Sequence, residues 1–323
     1  MSSSYFLTLA IGVVAIPAVI LAWLFFGERV VRLLPNRRQE PVRAWVWLAF
    51  PVVLGGGVLL YPLVQTVVNS FQDKSSQGFV GLANFAWVFS PTVVPVLLNN
   101  LIWVVVLPAV TLLLGLVIAG LADRVRYEAV VRTVMILPMA ISFSAAAVIW
   151  RLMYAYQPKG FAQTGTIDGI VNLLGGTPLA FLSDPKITTW ALIAIGVWMS
   201  VGTGMLMLSA ALKNVDASTL EAARLDGASE LGAFWHVAIP QILPTITVVY
   251  TTQIIFSLKV FDIVYTMTNG AFNTDVIANR MYAELFRTQQ FGHASAIAVL
   301  LLVAAIPIVI VNLRQFREER VVA

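Results

Sequence analysis

Catalysis or metal binding needs nucleophiles, paired titratable groups or ligands at workable spacing, and this chain offers few. It has no cysteine and two histidines, His236 and His293. That excludes disulfides, thiolate catalysis and Cys-ligated metals, and leaves too little imidazole for a His-based metal site. No Gly-x4-Gly-Lys-[Ser/Thr] occurs, so the chain has no phosphate cradle of that type for ATP. Asp216, Glu221, Asp226 and Glu230 lie close in sequence, but they read as helix caps and solvated faces, not as a general acid and base. His236, beside Trp235, and His293 read as packing or polar-edge residues. The expectation is no catalytic residue, no metal and no cofactor on this chain.

The segment Lys213–Pro244 reads as something other than a connector. It is long, mixed in charge and patterned as two short helices. Ser218-Thr-Leu-Glu221 is a capping-box spelling, in which hydroxyl and carboxylate satisfy two orphan backbone donors. Glu221–Asp226 favours helix, and Gly227 is placed to stop it in a left-handed conformation. Ser229 then starts a second helix, and Pro240 and Pro244 lead onward. A helical hairpin of this kind suits a soluble partner.

The elements around that loop must be membrane helices. Of 323 residues, 59% are apolar and 11% charged, against about 25% charged in soluble domains. A water-soluble globular enzyme is therefore excluded. Crossing a bilayer takes about 20 mostly apolar residues. Charge-free runs of that kind occupy Tyr5–Phe26, Ala44–Val68, Leu101–Ala122, Thr133–Trp150, Ile187–Leu212 and Ala294–Leu313, and another runs from about Thr245 towards Met267, interrupted late by Lys259 and Asp262. The expected fold is all-α and polytopic, with about seven spans. Lysine and arginine number thirteen in one alternate set of connections (27–43, 123–132, 213–238, 314–323) and six in the other. The positive-inside rule then places the N-terminus outside and the C-terminus in the cytoplasm. Met-Ser-Ser-Ser-Tyr lacks the positive start of a signal peptide, so the first run reads as a permanent span. Lys259 is expected to snorkel outward with Asp262 at i+3 as its partner.

Glu221-Ala222-Ala223, three residues, Gly227, nine residues, then Val237-Ala-Ile239-Pro240 resembles the EAA motif of ABC importer permeases. Phe261-Asp-Ile-Val-Tyr-Thr-Met-Thr-Asn-Gly270, Ala283-Glu-Leu-Phe286 and Phe291-Gly-His-Ala-Ser-Ala296 are similar to the maltose-permease-like branch, the carbohydrate-uptake permeases. Tyr61-Pro62 and Val80-Gly-Leu-Ala-Asn-Phe85 fit the same branch. The resemblance covers roughly 44–313. The extra N-terminal span, with Ala122–Glu128, Leu137–Phe143 and Ser209–Lys213, is most similar to permeases of α-glucoside uptake.

The resemblance implies a six-helix importer core at 41–323, preceded by an extra N-terminal helix and basic linker at 1–40. It implies a coupling loop at 213–244, with Glu221, Ala222, Ala223, Asp226, Gly227 and Pro240 meeting an ATPase. It implies a second homologous permease chain, two copies of an ATP-binding subunit that hold ATP and Mg, an external solute-binding protein and a carbohydrate substrate, all at a bacterial or archaeal cytoplasmic membrane. Carried over by resemblance, the solute positions fall on Gly196, Met199, Ser200 and Thr203 of one span and on Gln253, Phe256, Ser257 and Val260 of another. Both sets have i, i+3, i+4, i+7 spacing, one face of a helix. A stand-alone secondary transporter or channel is the alternative. It would need ionisable residues at midspan, and only Lys259 and Asp262 come near.

Overall fold

The computed structural model describes residues 3–122, 125–158 and 160–322, with side chains described between 13 and 313 except at 16, 37 and 50. The chain forms two units, Met1–Val68 and Asn69–Ala323.

In the first unit, α1 (Ser3–Arg32) and α2 (Asn36–Gly55) form an antiparallel hairpin. A π-helical turn at Gly56–Leu60 then leads into α3 (Tyr61–Asn69). Pro35 precedes α2 with φ −57° and ψ 140°, the extended geometry that separates two helices. The hairpin closes because Gly27 has no side chain: a β-carbon there would lie 2.5 Å from Val46 Cγ1. Trp23 Nε1 donates to the Val46 carbonyl at 3.0 Å. Glu28 receives Arg32 Nε at 3.3 Å and Arg43 Nη2 at 3.2 Å. Residue 40, the expected domain boundary, lies within α2.

The second unit opens on a polar turn. Asp73 Oδ1 accepts from the backbone N–H of Gln77 and from the hydroxyl and N–H of Ser75, and these bonds, Gln77's foremost, hold its carboxyl down to about 2. An isolated antiparallel bridge joins Gln72 to Phe79; among the described residues there is no β-strand. The chain continues through α4 (Ala83–Val88), α5 (Val94–Ala122), α6 (Glu128–Ile136), α7 (Phe143–Met153), α8 (Thr166–Leu173) and α9 (Thr188–Lys213). Then come α10 (Ala217–Leu225), α11 (Glu230–Ala233), α12 (Ile239–Gln241), α13 (Leu243–Leu258), α14 (Asp262–Met267), α15 (Ile277–Phe286) and α16 (Phe291–Val322). Helices α5 and α9 form the centre, brought together by small residues, as membrane helices are. A β-carbon at Gly115 would lie 3.2 Å from Met205 N, and one at Gly196 would lie 2.6 Å from Leu107 Cδ1.

Five helices among the described residues are long and apolar enough to cross a membrane, and seven spans result if two bent pairs each count once. The all-α, multi-span expectation holds, but two spans are not as drawn. The run Thr133–Trp150 is not one helix, because α6 and α7 meet at 103°. A 3-10 turn at Leu137–Ala140, containing Pro138, ends the first segment. Ile141 is extended (φ −104°, ψ 153°), and Ser142 restarts the helix by accepting from Ala145 N at 3.1 Å. The run from Thr245 towards Met267 also stops early. Helix α13 has 16 residues, or roughly 24 Å at 1.5 Å each, and α14 is a separate helix packed on α7 and α9.

That break removes the expected helical pairing of Lys259 with Asp262. Lys259 closes α13 at φ −107° and ψ 18°, so i+3 is no longer one turn away. Both side chains are exposed, and no ion pair joins them among the described residues.

Candidate functional site

Residues 213–244 hold α10, then α11 continued through a π-helical turn at Phe234–Ala238 into α12, with side-chain caps on α10 and α11. Asp216 begins α10, accepting from Ser218 N at 2.9 Å, and Thr219 Oγ1 donates to the Asp216 carbonyl. The expected Ser218–Glu221 capping box is therefore displaced. Asp216, two residues earlier, takes the capping position, and Ser218 lies inside the helix. The far end matches expectation. Gly227 has φ +86°, its N–H reaches Arg224 O at 3.1 Å, and Ala228 N reaches Ala223 O at 3.0 Å. This paired closure is the Schellman motif, which satisfies two orphan carbonyls. Ser229 then caps α11, accepting from Gly232 N at 3.1 Å.

Arg224 binds Glu230 through two hydrogen bonds, Nε to Oε1 at 2.7 Å and Nη2 to Oε2 at 3.2 Å. This clasps α10 to α11, and the carboxylate raises the affinity of the Arg224 guanidinium for its proton. Gln241 Nε2 donates to Thr219 Oγ1 at 2.9 Å, tying the exit of the loop to its entry. Glu221, Ala222, Asp226, Gly227 and Pro240 are exposed and Ala223 is half-buried. Leu225 is 89% exposed and Leu231 67%, so a folded, ion-paired loop presents two bare leucines outward. Its base is anchored where the Phe234 ring lies 3.4 Å from the β-carbon position of Gly120 on α5. His236 Nδ1 sits 3.0 Å from the Gly232 carbonyl, a contact within its own turn. Beside the loop, Glu128 of α6 pairs with Arg132 at 2.5 Å and with Lys213 at 2.7 Å.

The expected solute positions are distributed less evenly. On α9, Gly196, Met199 and Ser200 are buried within the chain and Thr203 is half-buried. Trp103 and Leu107 of α5 fill the space above Gly196, so Gly196 packs against α5. On α13, Ser257 is fully buried and donates to the Gln253 carbonyl at 2.5 Å. Phe256 is half-buried and stacks on Phe143 with centroids 4.9 Å apart. Val260 lies beyond the end of α13 and is buried, so the one-helix stripe is confined to Gln253, Phe256 and Ser257. Gln253 is 6% exposed, and its Oε1 has no hydrogen-bond partner. An acceptor left bare in an apolar interior is costly.

Sequence reasoning missed the groups that hold the opposite end together. Asn100 Nδ2 donates to Leu258 O at 3.4 Å, and Asn100 Oδ1 accepts from Ile277 N at 3.2 Å. One amide thus caps the end of α13 and the start of α15. Neighbouring Asn99 donates to Asp275 O at 2.8 Å and accepts from Thr189 Oγ1 at 3.1 Å. The signal was two adjacent amides directly before an apolar run. Gly292 has a similar purpose: a β-carbon there would lie 2.6 Å from Asn84 Nδ2, while that amide holds the carbonyls of Ser70 and Gln72. His293 stacks on Trp87 at 3.8 Å, its Nδ1 3.7 Å from Glu284.

The family described as "Binding-protein-dependent transport system inner membrane component" matches residues 111–322, a stretch that contains the capped loop. The osmoprotective compounds uptake permease protein GgtC of Synechocystis is 45% identical over 262 residues, covering 81% of this chain and 94% of that one. The alpha-glucoside transport system permease protein AglF of Rhizobium meliloti is 39% identical over 326 residues, covering 97% and 96%. Among solved structures, a bacterial ABC transporter involved in the import of the polysaccharide alginate aligns with a TM-score of 0.71 at 22% identity, over 88% of this chain and 99% of that one. That likeness is one of fold. The chain belongs to the family of binding-protein-dependent transport system inner membrane components.

Proposed function

We propose that this chain is the membrane-spanning permease of an ATP-driven importer of sugars, of di- or oligosaccharide size. In this reading it receives solute from an external binding protein and passes it inward by alternating access. The observation that carries the reading is the loop at 213–244. Its helices are clasped by Arg224–Glu230 and anchored on α5, yet it leaves Leu225 and Leu231 exposed. Such a surface is made to be covered. The cover is an ATP-binding subunit, present in two copies and holding ATP and Mg, with a second permease chain completing the path. Glu221, Ala222, Ala223, Asp226, Gly227 and Pro240 form the docking surface, on the cytoplasmic side with the C-terminus.

Gln253 and Phe256 are the residues of the carried-over set best suited to a solute. An unsatisfied amide oxygen next to an aromatic ring offers a sugar both an acceptor and a stacking face. AglF supports α-glucosides as substrates, and GgtC supports osmoprotective compounds, so both belong in one uptake panel. Tagging this chain and purifying it in mild detergent should recover an ATPase subunit, and uptake of one panel member should stop when cellular ATP is depleted. A chain purified without an ATPase, with uptake that survives ATP depletion but collapses with a protonophore, would instead establish a stand-alone secondary transporter.

A further inference from the structure

The reading above gives α1 and α2 no role, yet their hairpin holds a hollow of mixed chemistry. Leu24, Phe25, Glu28, Arg29, Arg32 and Trp47 line an open hollow of about 540 Å³ at the basic end of α1. Apolar residues form one part of it and guanidinium groups the other. Glu28 is already neutralised: its two oxygens accept from Arg32 Nε and from Arg43 Nε and Nη2, all between 3.2 and 3.3 Å. Glu40 is held by Arg43 Nη1 at 2.9 Å.

Four arginines at this end have described side chains, Arg29, Arg32, Arg38 and Arg43, and they face two glutamates. Both acids are therefore used and positive charge remains. Among the described residues neither Arg29 nor Arg38 meets a carboxylate, and Arg29 lies 5.6 Å over the Phe25 ring. The Arg32 side chain is 73% exposed, and only its Nε is engaged with Glu28, which leaves its other donors free to face outward.

We propose that this hollow is a binding site for an anionic phospholipid of the surrounding membrane. Arg29 and Arg32 would hold the phosphate, and Leu24, Phe25 and Trp47 would hold the start of an acyl chain. Guanidinium matches phosphate oxygens in a bidentate fork. Trp47, half-exposed at the same level, is the residue type that settles at a membrane–water boundary. Soluble phosphate would leave the apolar wall bare, and a zwitterionic lipid would leave the surplus positive charge uncompensated. The extra helix then serves as a lipid-read anchor for the transporter.

The purified transporter, stripped of lipid, is titrated with phosphatidylglycerol or with phosphatidylcholine of the same acyl chains, and retained lipid is counted by native mass spectrometry. Each basic residue near an anionic surface contributes about 1 kcal/mol, or roughly five-fold, so the two arginines should favour phosphatidylglycerol by more than ten-fold. Arg29→Gln should reduce that preference about five-fold, while Trp47→Ala should weaken retention of both lipids equally. Arg29→Lys, which keeps the charge but loses the fork, should fall between parent and Arg29→Gln, and it serves as the variant should Arg29→Gln not assemble. Equal retention of the two lipids by the parent would overturn the proposal. So would an unchanged preference in Arg29→Gln and Arg29→Lys, or loss of a partner chain from Arg29→Gln with lipid retention intact.

Discussion

Arg224 and Glu230 stand six residues apart on two different helices and meet through two hydrogen bonds, at 2.7 and 3.2 Å. The pair is exposed, so it adds little to folding; its effect is to set the two helices of the loop in one arrangement. Arg224→Glu should leave melting nearly unchanged while raising hydrogen exchange across 224–232 and lowering uptake several-fold. Adding Glu230→Arg should restore both. A double variant no better than either single one would show that the pair does not act as a clasp.

Glu221 tests docking itself. It is exposed in α10, and its charge acts on Arg224 at i+3, so Glu221→Lys reverses the surface charge and Glu221→Gln is the comparison that spares Arg224 a repulsive neighbour. Insertion into the membrane should be normal, with loss of both ATPase co-purification and transport. Uptake at the parent rate would remove the loop from the energy-coupling path.

The solute face rests on Gln253 and Phe256. Gln253→Ala removes the bare buried acceptor, and losing one partner of a desolvated polar contact costs about 1–3 kcal/mol. Phe256→Ala removes a ring worth about 0.5–1.5 kcal/mol beyond its area. Each should weaken handling of the solute by about ten-fold, with expression and basal ATPase activity nearly intact. Leu258→Ala is the control. If it impairs uptake as much as the other two, and substrate preference moves in none of them, the face is wrongly assigned.

Asn100 makes a stability prediction. In Asn100→Leu the carbonyl of Leu258 and the N–H of Ile277 both lose their partner. An unsatisfied buried group costs about 1–3 kcal/mol, and each kcal/mol lowers Tm by about 2–4 °C in domains of roughly 150–250 residues. Asn100→Leu should therefore melt several degrees below the parent in a detergent-solubilised thermal scan. An unchanged Tm would mean that the amide caps neither helix.

Gly292→Ala introduces a methyl against the Gln72 carbonyl and the Asn84 amide. Both belong to a hydrogen-bonded turn and cannot move independently, so overpacking of about 1–3 kcal/mol is expected. The readout is again Tm, with Ser295→Ala, three residues on in the same helix, as the neutral comparison.

That the fold is helical and crosses the membrane several times was legible in sequence because lipid imposes a length and a composition that few other environments demand. Backbone direction was not. Pro138 to Ser142 lies inside an apolar run, and hydropathy does not register that Ile141 is extended or that Ser142 starts a new helix. Lys259 gave a clearer warning, since a charge late in an apolar run coincides with the end of α13. The loop's caps were readable almost to the residue, because caps are local chemistry; the choice between Asp216 and Ser218 and the π-helical turn at Phe234–Ala238 needed the backbone. Gly196 shows where such reading ends. Spacing places it correctly on a helix face, but that Trp103 fills the space beside it is decided by the packing of α5 on α9.

Helix α5 joins two features so far described separately. Near one end, Gly120 receives the Phe234 ring of the loop. Twenty residues back, roughly 30 Å along the axis, Asn100 grips α13 and α15. A displacement delivered at Phe234 has only two destinations in such a rod: it bends at Pro108, the proline within α5, or it arrives at Asn100 and moves the opposite end as one block. The stiffness of a single proline joint thus sets how much of a push on the loop is felt across the membrane.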